Sequence, residues 1–346
     1  MEPITTPSDR DGVAYLYGHP LRNSLSPPLH QTVYNALGLN WTQIPLSTPT
    51  SNPNNSGNAA TYTYTKSPEI STFLSSIKAN PKFVGSSVTM PHKVAIMPHL
   101  DDLTEDARQA GACNTIFLRK SDGKEEAEYV GTNTDCIGIR EALVQNSPGG
   151  AAHFAGKPAL IVGGGGTART AVYVLRKWLG VSKIYIVNRD ASEVEAILSE
   201  DKARNPSAGE KGSSIAPLIP VPDPETARTL PAPVAIVSGI PNYPPSTEEE
   251  TRARETLRAL LNAQTHESAQ GVILEMCYHP HPWTEIAQMA ADASWKVILG
   301  SEALIWQGLE QARLWTGTDV VGVPGLVEKV KEFVAVTVAE RGKANL

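Results

Sequence analysis

The stretch that decides the fold runs from Pro158 to Arg169 and reads Pro-Ala-Leu-Ile-Val-Gly-Gly-Gly-Gly-Thr-Ala-Arg. Its apolar start predicts a strand, and the residues after the glycines predict a helix with Ala171 and Leu175 on its apolar face. Glycines at such a junction permit a tight turn and let backbone N–H groups approach a pyrophosphate at the helix N-terminus. A second strand, 183–187, follows about 20 residues on, which favours a dinucleotide-binding βαβ unit over a purely structural turn. The residues expected to hold the cofactor are Gly163, Gly164, Gly165, Gly166, Thr167 and Ala168.

The end of the second strand indicates which dinucleotide binds. Asn188, Arg189 and Asp190 follow it. An arginine there can clamp the 2′-phosphate of NADP, whereas an acidic residue suits the ribose hydroxyls of NAD. Arg189 therefore favours NADP, while Asp190 opposes the same phosphate, so we expect NADP as the cofactor with NAD possible. An arginine that is merely solvated at a strand end is the alternative interpretation.

Strands alternate with helices through both halves of the chain, which predicts the α/β class with parallel-rich sheets covered on both faces. In the first half, 13–18, 83–88 and 114–118 read as strands, and Ser26 is expected to cap a helix that starts at two prolines. A chain of 346 residues is too long for one ordinary core, so we expect two domains.

Composition excludes several function classes. A net charge of −6 argues against a nucleic-acid binder, and no apolar run approaches the roughly 18 residues needed to span a bilayer. Three cysteines, far apart in the sequence, do not suggest a disulfide framework, so a reducing compartment, the cytoplasm, is expected. His279 and His281 lack further ligands nearby and predict a surface turn, not a metal site.

Two polar clusters precede the glycine loop, Ser-Val-Thr-Met-Pro-His-Lys at 87–93 and Gly-Thr-Asn-Thr-Asp at 131–135. Carboxyl ends of strands form the ligand-binding edge of open α/β sheets. The polar residues at or just past predicted strand ends are Thr89, Lys93, Asn114, Asn133 and Asp135. Oxidising an alcohol needs a proton acceptor at the hydroxyl while hydride leaves the carbon. The clusters and the loop together suggest hydride transfer on a polyhydroxy acid; an ordinary surface ion pair is the alternative for Lys93 and Asp135.

Several motifs, in order, resemble those of the shikimate/quinate dehydrogenases. The resemblance covers roughly residues 15–326. The matching stretches are 18–27 with His30, Val88–Lys93, Gly111–Thr115, Gly131–Asp135, the glycine loop, Asn188-Arg189, Met276–Tyr278, and Gln307 ahead of Trp315–Gly317. Each match is short, but the whole set in the family's order is highly specific.

This resemblance implies an NAD(P)-dependent enzyme that interconverts shikimate and 3-dehydroshikimate, quinate and 3-dehydroquinate, or both. Such an enzyme serves the shikimate pathway, and so aromatic amino acid biosynthesis, or quinate metabolism. It also implies residue roles: Lys93 and Asp135 as the catalytic pair, Ser24, Ser26 and Tyr278 at the substrate carboxylate, and Thr89, Asn114 and Gln307 at ring hydroxyls. The expected partner is a small cyclic hydroxy acid, with no nucleic acid or membrane, and the expected assembly is a monomer or homodimer.

The resemblance further implies a substrate-binding catalytic domain formed by 12–134 with 302–346, and a Rossmann-type domain over 135–301 inserted between them. The sequence departs from the usual family pattern at several places: Asn23 replaces histidine, Ser87 replaces asparagine, Glu193 replaces a basic residue, 237–241 replaces an Asn-Ala-Thr stretch after the fifth dinucleotide-domain strand, and Glu302-Ala303 replaces Gly-Met. Two alternatives stay open: a non-catalytic relative that senses the same metabolite, and a dehydrogenase of a different hydroxy acid.

Overall fold

The structure is a computed structural model, and it describes residues 4, 7–19, 21, 24–46, 49–51, 62–64, 67–120, 126–208, 210, 213, 215–263, 271–278 and 282–344. The predictions for Asn23, His279 and His281 fall outside these residues. The chain forms two compact units: the first unit contains 1–134 with 307–336, and the second unit contains 135–306 with 337–346.

The first unit is built around a six-stranded sheet in the order β2-β1-β5-β7-β8-β6. The strands of this sheet are β1 Gly12–Tyr17, β2 Trp41–Pro45, β5 Phe83–Val88, β6 Asp102–Leu103, β7 Thr115–Arg119 and β8 Glu128–Thr132. Two further strands, β3 Pro49–Ser51 and β4 Tyr62–Tyr64, form a separate antiparallel pair. Its early helices are α1 Ser26–Ala36, α2 Ile70–Lys78, α3 His92–Ala95 and α4 Glu105–Ala110. Every residue of β1 is buried, and Tyr17 stacks on Phe73 of α2 with ring centroids 4.0 Å apart.

This sheet is mixed, because β7 runs antiparallel to both β5 and β8. Asn114 therefore precedes β7 and does not end it, which corrects the predicted placement at a strand end. Ser87 of β5 pairs with Thr115 of β7, so the start of β7 lies beside the carboxyl end of β5. Asn114 consequently lies at the expected edge of the sheet, although β7 runs in the direction opposite to β5.

The predicted cap of α1 is wrong. Leu25 is the N-cap residue and Ser26 is the first helical residue, with no side-chain cap bond. The Ser26 hydroxyl is buried and donates to Gln43 Oε1 at 2.9 Å, which removes it from the helix end. Ser24 Oγ accepts from the Ser26 backbone N–H at 3.2 Å instead.

The second unit has a six-stranded, fully parallel sheet in the order β11-β10-β9-β12-β13-β14. Numbered from its first strand, this is the 3-2-1-4-5-6 order of a doubly wound dinucleotide-binding sheet. The strands are β9 Pro158–Val162, β10 Lys183–Val187, β11 Leu218–Pro220, β12 Ala235–Ser238, β13 Val272–Glu275 and β14 Lys296–Leu299. The remaining helices are α5 Asp135–Asn146, α6 Gly166–Lys177, α7 Ala191–Arg204, α8 Pro224–Arg228, α9 Glu248–Leu261, α10 Glu285–Asp292, α11 Gly300–Thr316 and α12 Leu326–Ala344.

One detail of the second unit differs from the sequence prediction. The departure at 237–241 begins inside β12, the fourth strand of this unit and not the fifth. Val237 and Ser238 are buried strand residues there, so only the last three positions of the stretch form a loop.

Across the residues that the structure describes, no helix is both long and apolar enough to cross a membrane. Within the same residues, no group of three or more His, Cys, Asp and Glu side chains is arranged to hold a metal ion.

Candidate active site

The glycine loop lies between β9 and α6 in the second unit and has the geometry of a pyrophosphate cradle. Gly163 has φ +123°, a conformation that L side chains rarely adopt, and a side chain at Gly164 would collide with Asn188 and Glu193. A Cβ at Gly165 would meet nothing within 4 Å, and α6 starts here with no side-chain cap. The first N–H groups of α6 thus have no side-chain cap, and the space beside Gly165 and Gly166 is open at the positive end of the helix, which fits a dinucleotide phosphate.

Arg169, the last residue of the fingerprint stretch, holds this loop in place. Its Nη1 donates to the Gly164 carbonyl at 2.9 Å, while its Nε and Nη2 form a bidentate pair with Glu200 at 2.7 and 2.6 Å. An arginine committed to two scaffold contacts is a positioning residue for the loop.

The end of β10 carries more negative charge than its sequence motif suggests. Asn188 Nδ2 donates to Glu193 Oε2 at 2.7 Å, and Asp190 caps α7 by accepting from the Ser192 N–H at 2.8 Å. Hydrogen bonds from the Ser192 hydroxyl and N–H lower the pKa of Asp190. The Arg189 guanidinium contacts Glu250, a partner that no local sequence pattern indicated.

In the first unit, backbone hydrogen bonds gather the turn that carries Thr89 and Lys93 against two neighbouring segments. Thr89 N–H donates to the Tyr17 carbonyl at 2.8 Å, and Cys113 N–H donates to the Lys93 carbonyl at 2.7 Å. Val88 N–H donates to the Asn114 carbonyl at 2.6 Å. Three of the predicted site residues, Thr89, Lys93 and Asn114, are therefore held at one edge of the first-unit sheet.

His92, next to Lys93, anchors the same turn from the other side. Its Nε2 lies 2.5 Å from the Ser67 hydroxyl, which also lies 3.1 Å from His19 Nδ1. The imidazole stacks on Tyr17 with ring centroids 4.3 Å apart. Burial, and then the nearby His19, lower the pKa of His92. These contacts position the backbone that presents Lys93.

A buried chain of hydroxyl and amide groups starts from Ser26. The Ser26 hydroxyl donates to Gln43 Oε1 at 2.9 Å, Gln43 Nε2 donates to the Ser87 hydroxyl at 2.9 Å, and the Ser87 hydroxyl donates to Gln311 Oε1 at 2.8 Å. All four residues are at most 5% exposed. Ser87, where the family usually has asparagine, is thus joined to two glutamines that the sequence interpretation missed.

The chain of hydrogen bonds continues from Gln311 to the residues predicted at the ring hydroxyls. Gln311 Nε2 donates to the Thr115 hydroxyl at 2.9 Å, and that hydroxyl donates to Asn114 Oδ1 at 2.7 Å. The Thr134 N–H also donates to Asn114 Oδ1, at 2.7 Å. Since these donors occupy Oδ1, Asn114 is oriented with its NH₂ group as the donor, toward Gln307 Oε1 at 3.4 Å. We call this connected set, from Ser26 to Gln307, the amide chain.

We predict that Gln311→Leu raises the substrate KM roughly tenfold, because the Ser87 hydroxyl loses its acceptor and the Thr115 hydroxyl, one of the two donors that orient Asn114, loses the donor that fixes it. Steady-state kinetics and urea unfolding measure the two effects. The matched control is Asn80→Ala, which removes another buried amide of the first unit, bonded to Tyr15 Oη at 3.0 Å. Both variants should lose about 1–3 kcal/mol of unfolding free energy. An unchanged KM in Gln311→Leu would make the amide chain purely structural.

Glu275, at the carboxyl end of β13, supports the segment that carries Tyr278. Its Oε1 accepts from the Cys277 N–H at 3.1 Å, and the residue is fully buried. Burial raises the pKa of Glu275 to about 7, although the Ser238 hydroxyl, the Cys277 amide and the charge of Arg254 oppose the shift.

This raised pKa predicts a pH-dependent stability. The unfolded carboxyl loses its proton near pH 4.5 and the folded one near 7, so stability falls as pH rises between these values. Glu275→Gln, which cannot ionise, should gain on the order of 3 kcal/mol of unfolding free energy relative to the parent between pH 4.5 and pH 8. Urea unfolding at both pH values measures this, with the exposed Glu255→Gln as control. A difference between parent and variant that stays constant with pH would contradict the assignment.

The other predicted residues take separate places. Asp135 is the first residue of α5 in the second unit and Tyr278 follows β13 there, both half-buried, while Lys93 and Ser24 are half-buried in the first unit. The roles assigned to all of these residues stay predictions.

Comparison with known proteins agrees with this geometry. Residues 16–116 match the family described as the shikimate dehydrogenase substrate binding domain. The chain is 78% identical to a quinate dehydrogenase of Emericella nidulans over 346 residues, all of both chains. A solved dehydroquinate dehydratase and shikimate dehydrogenase from S. pombe AroM is 28% identical with a TM-score of 0.69, covering 92% of this chain and 53% of that chain. A shikimate dehydrogenase in complex with NADP+ is 25% identical with a TM-score of 0.66, covering 96% of this chain and 99% of that one.

The second unit has a doubly wound sheet with an uncapped glycine loop, and the first unit has a sheet with a polar edge. Together these features define an NAD(P)-dependent dehydrogenase. The predicted α/β class, the enzyme class and the nicotinamide cofactor are thereby confirmed. With 78% identity over its full length to one of its members, the chain belongs to the shikimate/quinate dehydrogenase family.

Proposed function

We propose that this enzyme oxidises quinate to 3-dehydroquinate, and also interconverts shikimate and 3-dehydroshikimate. The amide chain is the observation that carries the proposal, because it connects Ser26, predicted at the carboxylate, to Asn114 and Gln307, predicted at the ring hydroxyls. A line of oriented hydroxyl and amide groups suits a ring that bears a carboxylate and several hydroxyls. The identity to a quinate dehydrogenase supports quinate as a substrate.

The proposed mechanism gives each part of the chain one task. Lys93 takes the proton of the reacting hydroxyl during oxidation and returns it during reduction. Asp135 orients that hydroxyl and holds the ammonium group. The N–H groups at the start of α6 bind the pyrophosphate, and the bound nicotinamide supplies the hydride acceptor. Ser24, Ser26 and Tyr278 bind the carboxylate, for which the Ser26 hydroxyl turns its proton from Gln43 Oε1 to the substrate. Thr89 joins Asn114 and Gln307 at the ring.

In this proposal the domain formed by 12–134 with 302–346 binds the substrate and the domain over 135–301 binds the dinucleotide. The match of 16–116 to a substrate binding domain supports the first assignment, and the glycine loop supports the second. We further propose a cytoplasmic enzyme that acts as a monomer or homodimer on a small cyclic hydroxy acid.

The test is turnover by the purified full chain with quinate, shikimate and related hydroxy acids, each with NAD and NADP, followed at the absorbance of the reduced nicotinamide. We expect activity on both acids. Tight binding of either acid with no turnover would support a metabolite sensor instead. Turnover confined to another hydroxy acid would overturn the substrate assignment but keep the enzyme class.

A further inference from the structure

The cation expected to bind the 2′-phosphate of NADP is already engaged. Arg189 follows β10, and its guanidinium contacts the carboxylate of Glu250, 61 residues further along the chain. The arginine side chain is 63% exposed and the carboxylate side chain is 19% exposed. The pair therefore lies at the surface of the second unit, and Glu250 is the less exposed of the two residues.

Glu250 is fixed because it belongs to the capping box of α9. Its Oε2 accepts from the Ser246 N–H at 2.7 Å, the Ser246 hydroxyl at 2.8 Å and the Thr247 N–H at 3.3 Å. Bonds from Ser246, and then from Arg189, hold the pKa of Glu250 to about 2. The carboxylate is consequently ionised at neutral pH, and it cannot move away without breaking the hydrogen bonds of the helix cap.

Two further acidic residues, Glu193 and Asp190, lie at the end of β10 near Arg189. Glu193 accepts from Asn188, and its side chain lies against Gly164 of the glycine loop. Asp190 is the N-cap residue of α7. A 2′-phosphate bound by Arg189 would enter a region that already carries these negative charges, whereas the 2′-hydroxyl of NAD brings no charge.

We propose that Glu250 is a specificity-determining residue that limits the preference for NADP over NAD by competing with the 2′-phosphate for Arg189. The proposal rests on dinucleotide binding at the glycine loop and goes beyond it by assigning selectivity to a residue of α9. Binding of NADP requires Arg189 to leave or share its carboxylate partner, and the phosphate then meets the charge of Glu250. Binding of NAD leaves the pair intact.

The variant Glu250→Gln tests this competition, because glutamine at the same position also completes a capping box and only the charge is lost. The dissociation constants of NADPH and NADH are measured by fluorescence titration of the full chain, without any need for turnover. We expect the NADPH constant to fall roughly threefold to tenfold and the NADH constant to change less than about twofold. The gain should shrink at high salt, because exposed charges are screened.

Two controls complete the experiment. Glu249→Gln removes the neighbouring exposed acid of α9 and should leave the NADPH-to-NADH ratio unchanged. In an Arg189→Ala background, adding Glu250→Gln should no longer improve NADPH binding. An equal change for both dinucleotides, or a gain that persists without Arg189, would overturn the proposal. Failure of the parent enzyme to bind either dinucleotide would instead refute the proposed function.

Discussion

Lys93→Met is expected to lower turnover of quinate by roughly 10²–10⁴-fold, the usual cost of removing a general acid–base group. Methionine keeps the length and apolar stem of the side chain but cannot take the proton of the reacting hydroxyl. The Lys93 carbonyl accepts from the Cys113 N–H, and His92 is hydrogen-bonded to the Ser67 hydroxyl. The backbone of the turn that presents Lys93 should therefore keep its place. Single-turnover and steady-state rates, with dinucleotide titration beside them, measure the effect.

The matched control for this substitution is Lys78→Met, which removes an exposed lysine of the first unit that pairs with Asp101 at 3.9 Å. It should keep normal turnover. NADPH and NADH should bind both variants as tightly as the parent. Near-normal turnover in Lys93→Met would reduce Lys93 to a surface charge and remove the proposed proton acceptor.

Asp135→Asn is expected to lower turnover and weaken substrate binding together. The carboxylate is proposed to hold both the ammonium of Lys93 and a substrate hydroxyl, and the amide keeps the shape but loses the charge. Charge-assisted hydrogen bonds are about twice as strong as neutral ones, so kcat and KM should both change. The measurement is kcat, KM and the thermal midpoint of the same preparation.

A structural role for Asp135 predicts a different result, because an acid in the first turn of α5 also stabilises that helix by about 0.3–1 kcal/mol. A lowered thermal midpoint with unchanged kcat and KM would show that helix contribution alone. Glu141→Gln on the same helix, where the parent residue pairs with Arg140, is the control for a general loss of negative charge.

Local patterns in the sequence predicted much of the fold. The strands of 83–88 and 183–187 appear with those bounds, because each is specified by its own apolar residues and the residues at its ends. The glycine loop was recognised for the same reason, since strand, turn and helix follow one another within a few residues. The direction of β7 was missed, because strand pairing depends on distant segments.

The parts of the site that the sequence did not reveal all involve contacts between distant residues. Ser87 meets Gln311 across 224 positions, and Arg189 meets Glu250 across 61. A glutamine inside an apolar helix carries no period or spacing that names its partner. Ser26 is a case in which the local pattern was misleading. A serine before two prolines has the local chemistry of a helix cap, but the Ser26 hydroxyl donates to Gln43 in the core.

We propose that this enzyme moves hydride from a ring carbon of quinate to a nicotinamide while Lys93 takes the hydroxyl proton. The most direct test of this proposal uses quinate that carries deuterium on the reacting carbon, with NMR analysis of the reduced nicotinamide formed by the parent and by Lys93→Met. We expect the parent to transfer the deuterium to the nicotinamide ring, and Lys93→Met to form the same labelled product only at a severely reduced rate. Binding of quinate without any deuterium in the nicotinamide, or transfer by Lys93→Met at the parent's rate, would contradict the proposal.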